Sequence, residues 1–101
     1  MRQGEIWERG DRPTLALILS SNLYNEAGPG RVIVCPVIPG EPLPAEDFAT
    51  DVPLATPLTG TVLPELVEWL PISGLTHPRG AVTAQDWQRI DQIVRAILGH
   101  I

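Results

Sequence analysis

Prolines and glycines interrupt this chain so often that no apolar run outgrows a single β-strand. Eleven prolines and nine glycines are spread over 101 residues, and most of them stand between short apolar segments. Proline lacks an amide donor and glycine loses the most freedom on ordering, so long helices are excluded over most of the sequence. The longest apolar run, residues 15–19, is strand length and far short of the roughly 18 residues of a membrane span. Many short strands with tight connections are therefore expected, rather than a helical bundle. With 101 residues, the chain is expected to be one domain.

Residues 4–8 have strand composition, and Gly10-Asp11 supplies a turn before Arg12-Pro13 leads into residues 14–20. This reads as a hairpin. In the second strand Leu15, Leu17 and Leu19 form an apolar face, and Arg12 shares the parity of the mixed face. Residues 20–25 are a polar connection with room for one helical turn, and Gly28-Pro29-Gly30 then turns the chain into a third strand at residues 31–35. Residues 36–47 carry four prolines and are expected to be a loop. Weaker strand signals follow at residues 48–54 and 60–70, and residues 71–80 read as a second turn-rich segment. The last element is an amphipathic helix over residues 84–98, capped by Thr83 and stopped at Gly99. Trp87, Ile90, Ile93, Val94, Ile97 and Leu98 form its apolar stripe.

Chemistry narrows quickly. The chain has no glycine-rich phosphate loop, and its two histidines, His77 and His100, give little basis for a metal site. No metal or other cofactor is expected. The single cysteine, Cys35, lies in a strand and reads as a small buried apolar residue rather than a nucleophile. Residues 1–7 contain no apolar stretch of the kind a signal peptide needs, so a cytoplasmic protein is expected. Twelve acidic residues outnumber seven arginines, for a net charge of -5, which is the reverse of a nucleic-acid binder's usual footprint. A nucleic-acid role then requires a local gathering of arginines, for which Arg2, Arg12, Arg31 and Arg79 are available. Around the second strand, Arg12, Ser20, Ser21, Asn22, Tyr24 and Asn25 offer a guanidinium, hydroxyls, amides and a stacking ring. Such a set suits single-stranded RNA, and it equally suits a polar turn capped by serines.

Several stretches, in order, resemble the MazF/PemK-like toxins of the MazF/CcdB superfamily. Arg2-Gln3-Gly4-Glu5-Ile6-Trp7 resembles that family's opening strand, and Arg12-Pro13, the apolar run and Ser20 to Asn25 resemble its Arg-Pro, strand and Ser-x-x-x-Tyr/Phe-Asn sequence. Residues 31–36, 60–65 and 80–98 are similar to its third strand, a later strand and its final strand-to-helix segment. The resemblance implies a mainly β fold with a C-terminal helix, a small, strongly bent sheet or SH3-like barrel that pairs as a homodimer. It further implies a metal-independent endoribonuclease, an mRNA interferase, that cuts single-stranded RNA and is neutralised by a cognate antitoxin. By that resemblance Arg12 stabilises the charge on the reacting phosphate. Ser20, Ser21, Asn22, Tyr24, Asn25, Arg31 and Arg79 bind the RNA. The chain departs from the pattern in three places: its first connection is short, Arg12 lies two residues farther from Asn25, and Ile38 stands where the family carries Thr or Ser. CcdB-like toxins of the same superfamily poison DNA gyrase through their C-terminal residues, which residues 98–101 loosely resemble. Ile38 supports a third reading, a non-catalytic module that binds antitoxin or RNA.

Overall fold

Among the described residues, seven short strands and two helices follow one another in the order expected of a chain so often interrupted. The computed structural model describes residues 1–42 and 50–99. Strand β1 (Glu5–Arg9) and β2 (Leu15–Ile18) form the expected hairpin, with Ile6 opposite Leu17 and Trp7 opposite Ala16. Helix α1 (Asn22–Glu26) is the single turn foreseen after β2, and the Ser21 hydroxyl caps it by accepting from the Tyr24 amide. Then come β3 (Arg31–Pro39), β4 (Val52–Leu54), β5 (Gly60–Val62), β6 (Glu68–Pro71), a 3-10 turn (Ile72–Gly74), β7 (Leu75–Ala81) and α2 (Ala84–Leu98). The strands make one antiparallel sheet in the order β4-β5-β3-β2-β1-β7, with β6 also pairing β3. β4 and β7 end that order, so the strands form an open sheet rather than a closed barrel.

Two stretches differ from the sequence reading. β3 does not stop at Cys35 but continues through Pro36 to Pro39, and residues 71–80, expected as turns, hold most of the strand β7, which ends at Ala81. The reason lies in where amides are required. β3 pairs β6 through Val34 and β5 from Val37, so Pro36 sits where one neighbour hands over to the other, and its carbonyl accepts from the Leu63 amide. Pro39 lies beyond the end of β2, whose pairing stops at Leu15 opposite Val37. Each proline thus lacks its donor where no ladder partner waits. β7 is an edge strand, which accommodates Pro78. The 60–70 signal splits into β5 and β6 around the turn at Pro64, and of the 48–54 signal residues 48 and 49 lie outside the described residues.

Helix α2 matches its predicted limits. The Thr83 hydroxyl accepts from the Asp86 amide, and Gly99 closes the helix in the left-handed region at φ 79°. Ile90 and Ile93 enter a core with Ile6, Leu15, Leu17, Cys35, Val37 and Val62, while Trp87 and Val94 flank it. Ile97 and Leu98 continue the stripe but stay largely exposed. A second core on the other face gathers Ala16, Ile18, Val32, Val34 and Leu75, bordered by Met1, Trp7, Leu70 and Ile72. β2 is consequently buried on both faces, its far side covered by Val32, Val34 and Leu75 and by the bordering side chains. Burying a side chain such as Ile90 contributes about 1.5–3 kcal/mol.

Cys35 is fully buried, and desolvation pushes its thiol up to about 12. It is packing, as the sequence implied. Iodoacetamide at neutral pH is therefore expected to leave the folded protein unmodified and to label it only in denaturant; rapid native labelling would contradict this burial.

A candidate phosphate-binding hollow at the β1–β2 end of the sheet

The connection from β1 to β2 is held by an arginine at its root. Arg9, the last residue of β1, keeps only 2% of its side chain exposed. Its Nε and Nη2 donate to the two Asp11 carboxylate oxygens at 2.9 Å each, and its Nη1 donates to the Glu68 carboxylate on β6. A buried charge persists only when paired and hydrogen-bonded, and here both conditions are met. The hydrogen bond to Asp11, with the help of Glu68, lifts the Arg9 guanidinium above its usual range against the opposing pull of burial. The same contact holds the Asp11 carboxyl below the ordinary carboxylate range. The Gly10 amide donates to the Gly74 carbonyl at 3.0 Å, so the turn is tied to the 3-10 segment as well.

Arg12 follows directly. Its side chain is 58% exposed, and its Nε lies 3.8 Å from Asp11 Oδ2. It lines two adjoining hollows. One, of about 180 Å³, is bounded by Arg12, Arg79, Glu8, Arg9, Leu15 and two prolines, Pro13 and Pro39. The other, of about 330 Å³, lies between Arg12, Pro36, Leu66, Val67 and Glu68. Arg79 reaches the first hollow because β7 is irregular: Trp7 faces Pro78 and Glu5 faces Ala81, so Arg79 and Gly80 occupy a bulge opposite a single residue of β1. Bulges re-aim side chains, and Gly80, at φ 108°, supplies the backbone turn. Arg79 Nη1 then sits 3.4 Å from Glu8 Oε2. With Arg9 occupied by two carboxylates, the hollow presents two guanidinium groups, one exposed and one loosely paired, in a chain of net charge -5.

The structure divides the other sequence-predicted residues from these two. Ser20, Ser21, Asn22, Tyr24 and Asn25 follow β2, whereas Arg12 precedes it, so they stand at the opposite end of that strand. Most of their polar atoms serve the fold. Ser20 Oγ donates to Asn25 Oδ1 at 2.5 Å and accepts from the Ile33 amide; Asn25 Nδ2 donates to the Ser20 and Met1 carbonyls. Asn22 Oδ1 accepts from the Gln3 amide. Tyr24 alone keeps its ring partly open to solvent, 38% exposed. Arg31 starts β3 while Pro39, at the first hollow, ends it, a separation of up to about 26 Å along the strand. Its guanidinium lies over the Trp69 ring, 4.8 Å from the centroid. Ile38 is 38% exposed and pairs in register with Thr61. The C-terminal residues 100 and 101, compared above with CcdB, lie outside the described residues, as does the part of the expected 36–47 loop over residues 43–47. Sequence reasoning missed the Arg9, Asp11 and Glu68 cluster and the proximity of Glu8 to Arg79. The charge alternation over Glu8, Arg9 and Asp11 was the available signal. Among the described residues no helix is long and apolar enough to cross a membrane.

An open antiparallel sheet with one C-terminal helix is the fold of the solved MazF toxins. It superposes with a TM-score of 0.81 on an endoribonuclease solved in complex with its cognate antitoxin from a mycobacterial species, 23% identical, over 98% of this chain and 93% of that one. Against a MazE–MazF complex from Deinococcus radiodurans the TM-score is 0.79 at 21% identity, over 98% and 96% of the two chains. In sequence the chain is 40% identical over 97 residues to toxin Rv0299 of Mycobacterium tuberculosis, 94% of this chain and 95% of that toxin. Residues 4–97 match the family described as type II toxin-antitoxin system toxin Rv0299, and the chain belongs to that family.

Proposed function

We propose that this type II toxin cuts single-stranded RNA at the hollow lined by Arg12 and Arg79, by attack of a ribose 2'-hydroxyl on the adjacent phosphorus. The bond from phosphorus to the 5'-oxygen breaks, leaving a 2',3'-cyclic phosphate and a 5'-hydroxyl. Water accepts the 2'-hydroxyl proton and supplies the one taken by the leaving oxygen, since a guanidinium is too weak an acid to do so readily. The protein's share is to place the chain and to stabilise charge that grows on the phosphoryl oxygens. The observation that carries this reading is the position of two arginines, 67 residues apart in sequence, on one hollow of about 180 Å³. Arg12 is exposed and planar, fit to pair two phosphate oxygens at once, and Arg79 provides the second cation. Ile38 leaves the hydroxyl of the family pattern without a counterpart at that position, so more of the stabilisation falls to the arginines. The reading includes a homodimer and a cognate antitoxin, for which the exposed side chains of Leu23, Leu66, Val67 and Trp69 offer apolar contact area.

The test is cleavage of a long, unstructured RNA by purified protein in EDTA, with the product ends mapped. Native protein is expected to give 5'-hydroxyl ends, and Arg12→Ala to lose activity by about 100-fold or more, the usual cost of removing one transition-state donor. Ends bearing a 5'-phosphate, or an Arg12→Ala variant that cuts like the native chain, would defeat the assignment.

A further inference from the structure

Asp11 is shared unequally between two arginines. Its Oδ2 accepts from Arg9 Nη2 at 2.9 Å, while Arg12 Nε stands 3.8 Å from that same oxygen. The second oxygen, Oδ1, is taken by Arg9 Nε at 2.9 Å. Arg9 thus uses a planar, two-point grip on the carboxylate, and Arg12 is left with a longer contact beyond hydrogen-bond reach. Asp11 is the residue immediately before Arg12 and is 60% exposed; its own backbone amide contributes to holding the carboxylate, but less than the Arg9 guanidinium does. What chiefly holds it is the buried guanidinium. Arg9 in turn is fixed by Glu68 on β6 and by its place in the sheet, with its side chain 2% exposed.

We propose that Arg9 is a positioning residue: it occupies the Asp11 carboxylate, and so keeps the Arg12 guanidinium available to an RNA phosphate. This rests on the ribonuclease reading given above. A buried arginine between two carboxylates is not by itself a sign of a stabilising role, since apolar residues of similar volume often serve as well. It does solve a local problem. The short turn places an acid next to the arginine that must meet a phosphate, and an acid free to chelate that arginine would compete with the substrate. Lysine in place of Arg9 keeps the charge but loses the two-point grip, because a single ammonium cannot hold both oxygens of Asp11 and reach Glu68 in the same geometry.

The experiment is a double-mutant cycle on cleavage of one short RNA, with thermal unfolding measured on each variant. Arg9→Lys is expected to lower kcat/KM about tenfold while the protein remains folded at the assay temperature. Asp11→Asn, on the exposed turn, is expected to match or exceed the native rate. Combined with Arg9→Lys it should restore most of what that change removed. Rescue of this kind is not produced by a merely structural arginine. Arg9→Met provides the same comparison with no charge at position 9. The proposal is overturned if Asp11→Asn itself lowers cleavage, if the double variant is no better than Arg9→Lys, or if activity only follows the folded fraction. Native protein that cuts no RNA overturns the ribonuclease reading and this proposal with it, whereas native cleavage without rescue overturns this proposal alone.

Discussion

Replacing Gly80 with alanine is expected to destabilise the protein by about 2–5 kcal/mol, which for a chain of 101 residues lowers the melting temperature by roughly 10 °C or more. Two penalties add at this position. The backbone stands at φ 108°, where an L side chain is strained, and an added Cβ would lie 2.7 Å from Pro57 Cβ and 3.0 Å from its Cγ. A proline ring cannot swing aside as a long side chain can, so either the ring or β7 must move. Gly28 provides the control. It too has positive φ, 89°, but nothing lies within 4 Å of an added Cβ, so Gly28→Ala should cost only about 1 kcal/mol of strain. Equal losses in the two variants would refute the contact with Pro57 as a source of instability. Because Gly80 shapes the bulge that presents Arg79, RNA cleavage by Gly80→Ala should also fall under conditions where the variant is still folded.

The second large effect is expected at Ile90→Ala, at about 2–5 kcal/mol. Ile90 is fully buried where α2 meets the sheet and joins Ile6, Leu17 and Val37 in the main core. A domain with about 5–15 kcal/mol of stability has little room for that loss. Ile97, one face-repeat further along the same stripe, is 47% exposed, and Ile97→Ala should cost under about 1 kcal/mol. Urea unfolding of both variants decides the matter. A comparable loss at Ile97 would mean that the end of the helix is covered in solution.

Local signals in the sequence carried the first hairpin, the α1 turn and α2, whose serine, threonine and glycine caps lie within a few residues of the atoms they satisfy. They did not carry β3 beyond Pro36 or the strand β7. Whether a proline is compatible with a strand depends on which neighbour lacks a partner at that point, and this is set by pairings made far along the chain. The site divides the same way. Arg12 and Arg79 could each be named from the sequence, but not their meeting, which needs β7 beside β1 and a bulge in the right place. The polar residues from Ser20 to Asn25 looked available for RNA because composition does not reveal that hydrogen bonds to Ile33, Gln3 and Met1 already engage most of them. That Arg31 stands apart from the hollow follows from the length of β3, which carries it to the other end of the strand from Pro39.

On the ribonuclease reading, the pairing of β1 with β7 has a bearing on when in its own synthesis the toxin can act. Glu8 and Arg79 lie 71 positions apart in sequence, and the strand that carries Arg79 is the last one in the sheet to be synthesised. A nascent chain that has exposed only its first six strands has Arg12 on its turn but lacks Arg79, and the edge of β1 is still bare. Assembly of the hollow is therefore a late event of translation, and a prematurely terminated product would be born without it.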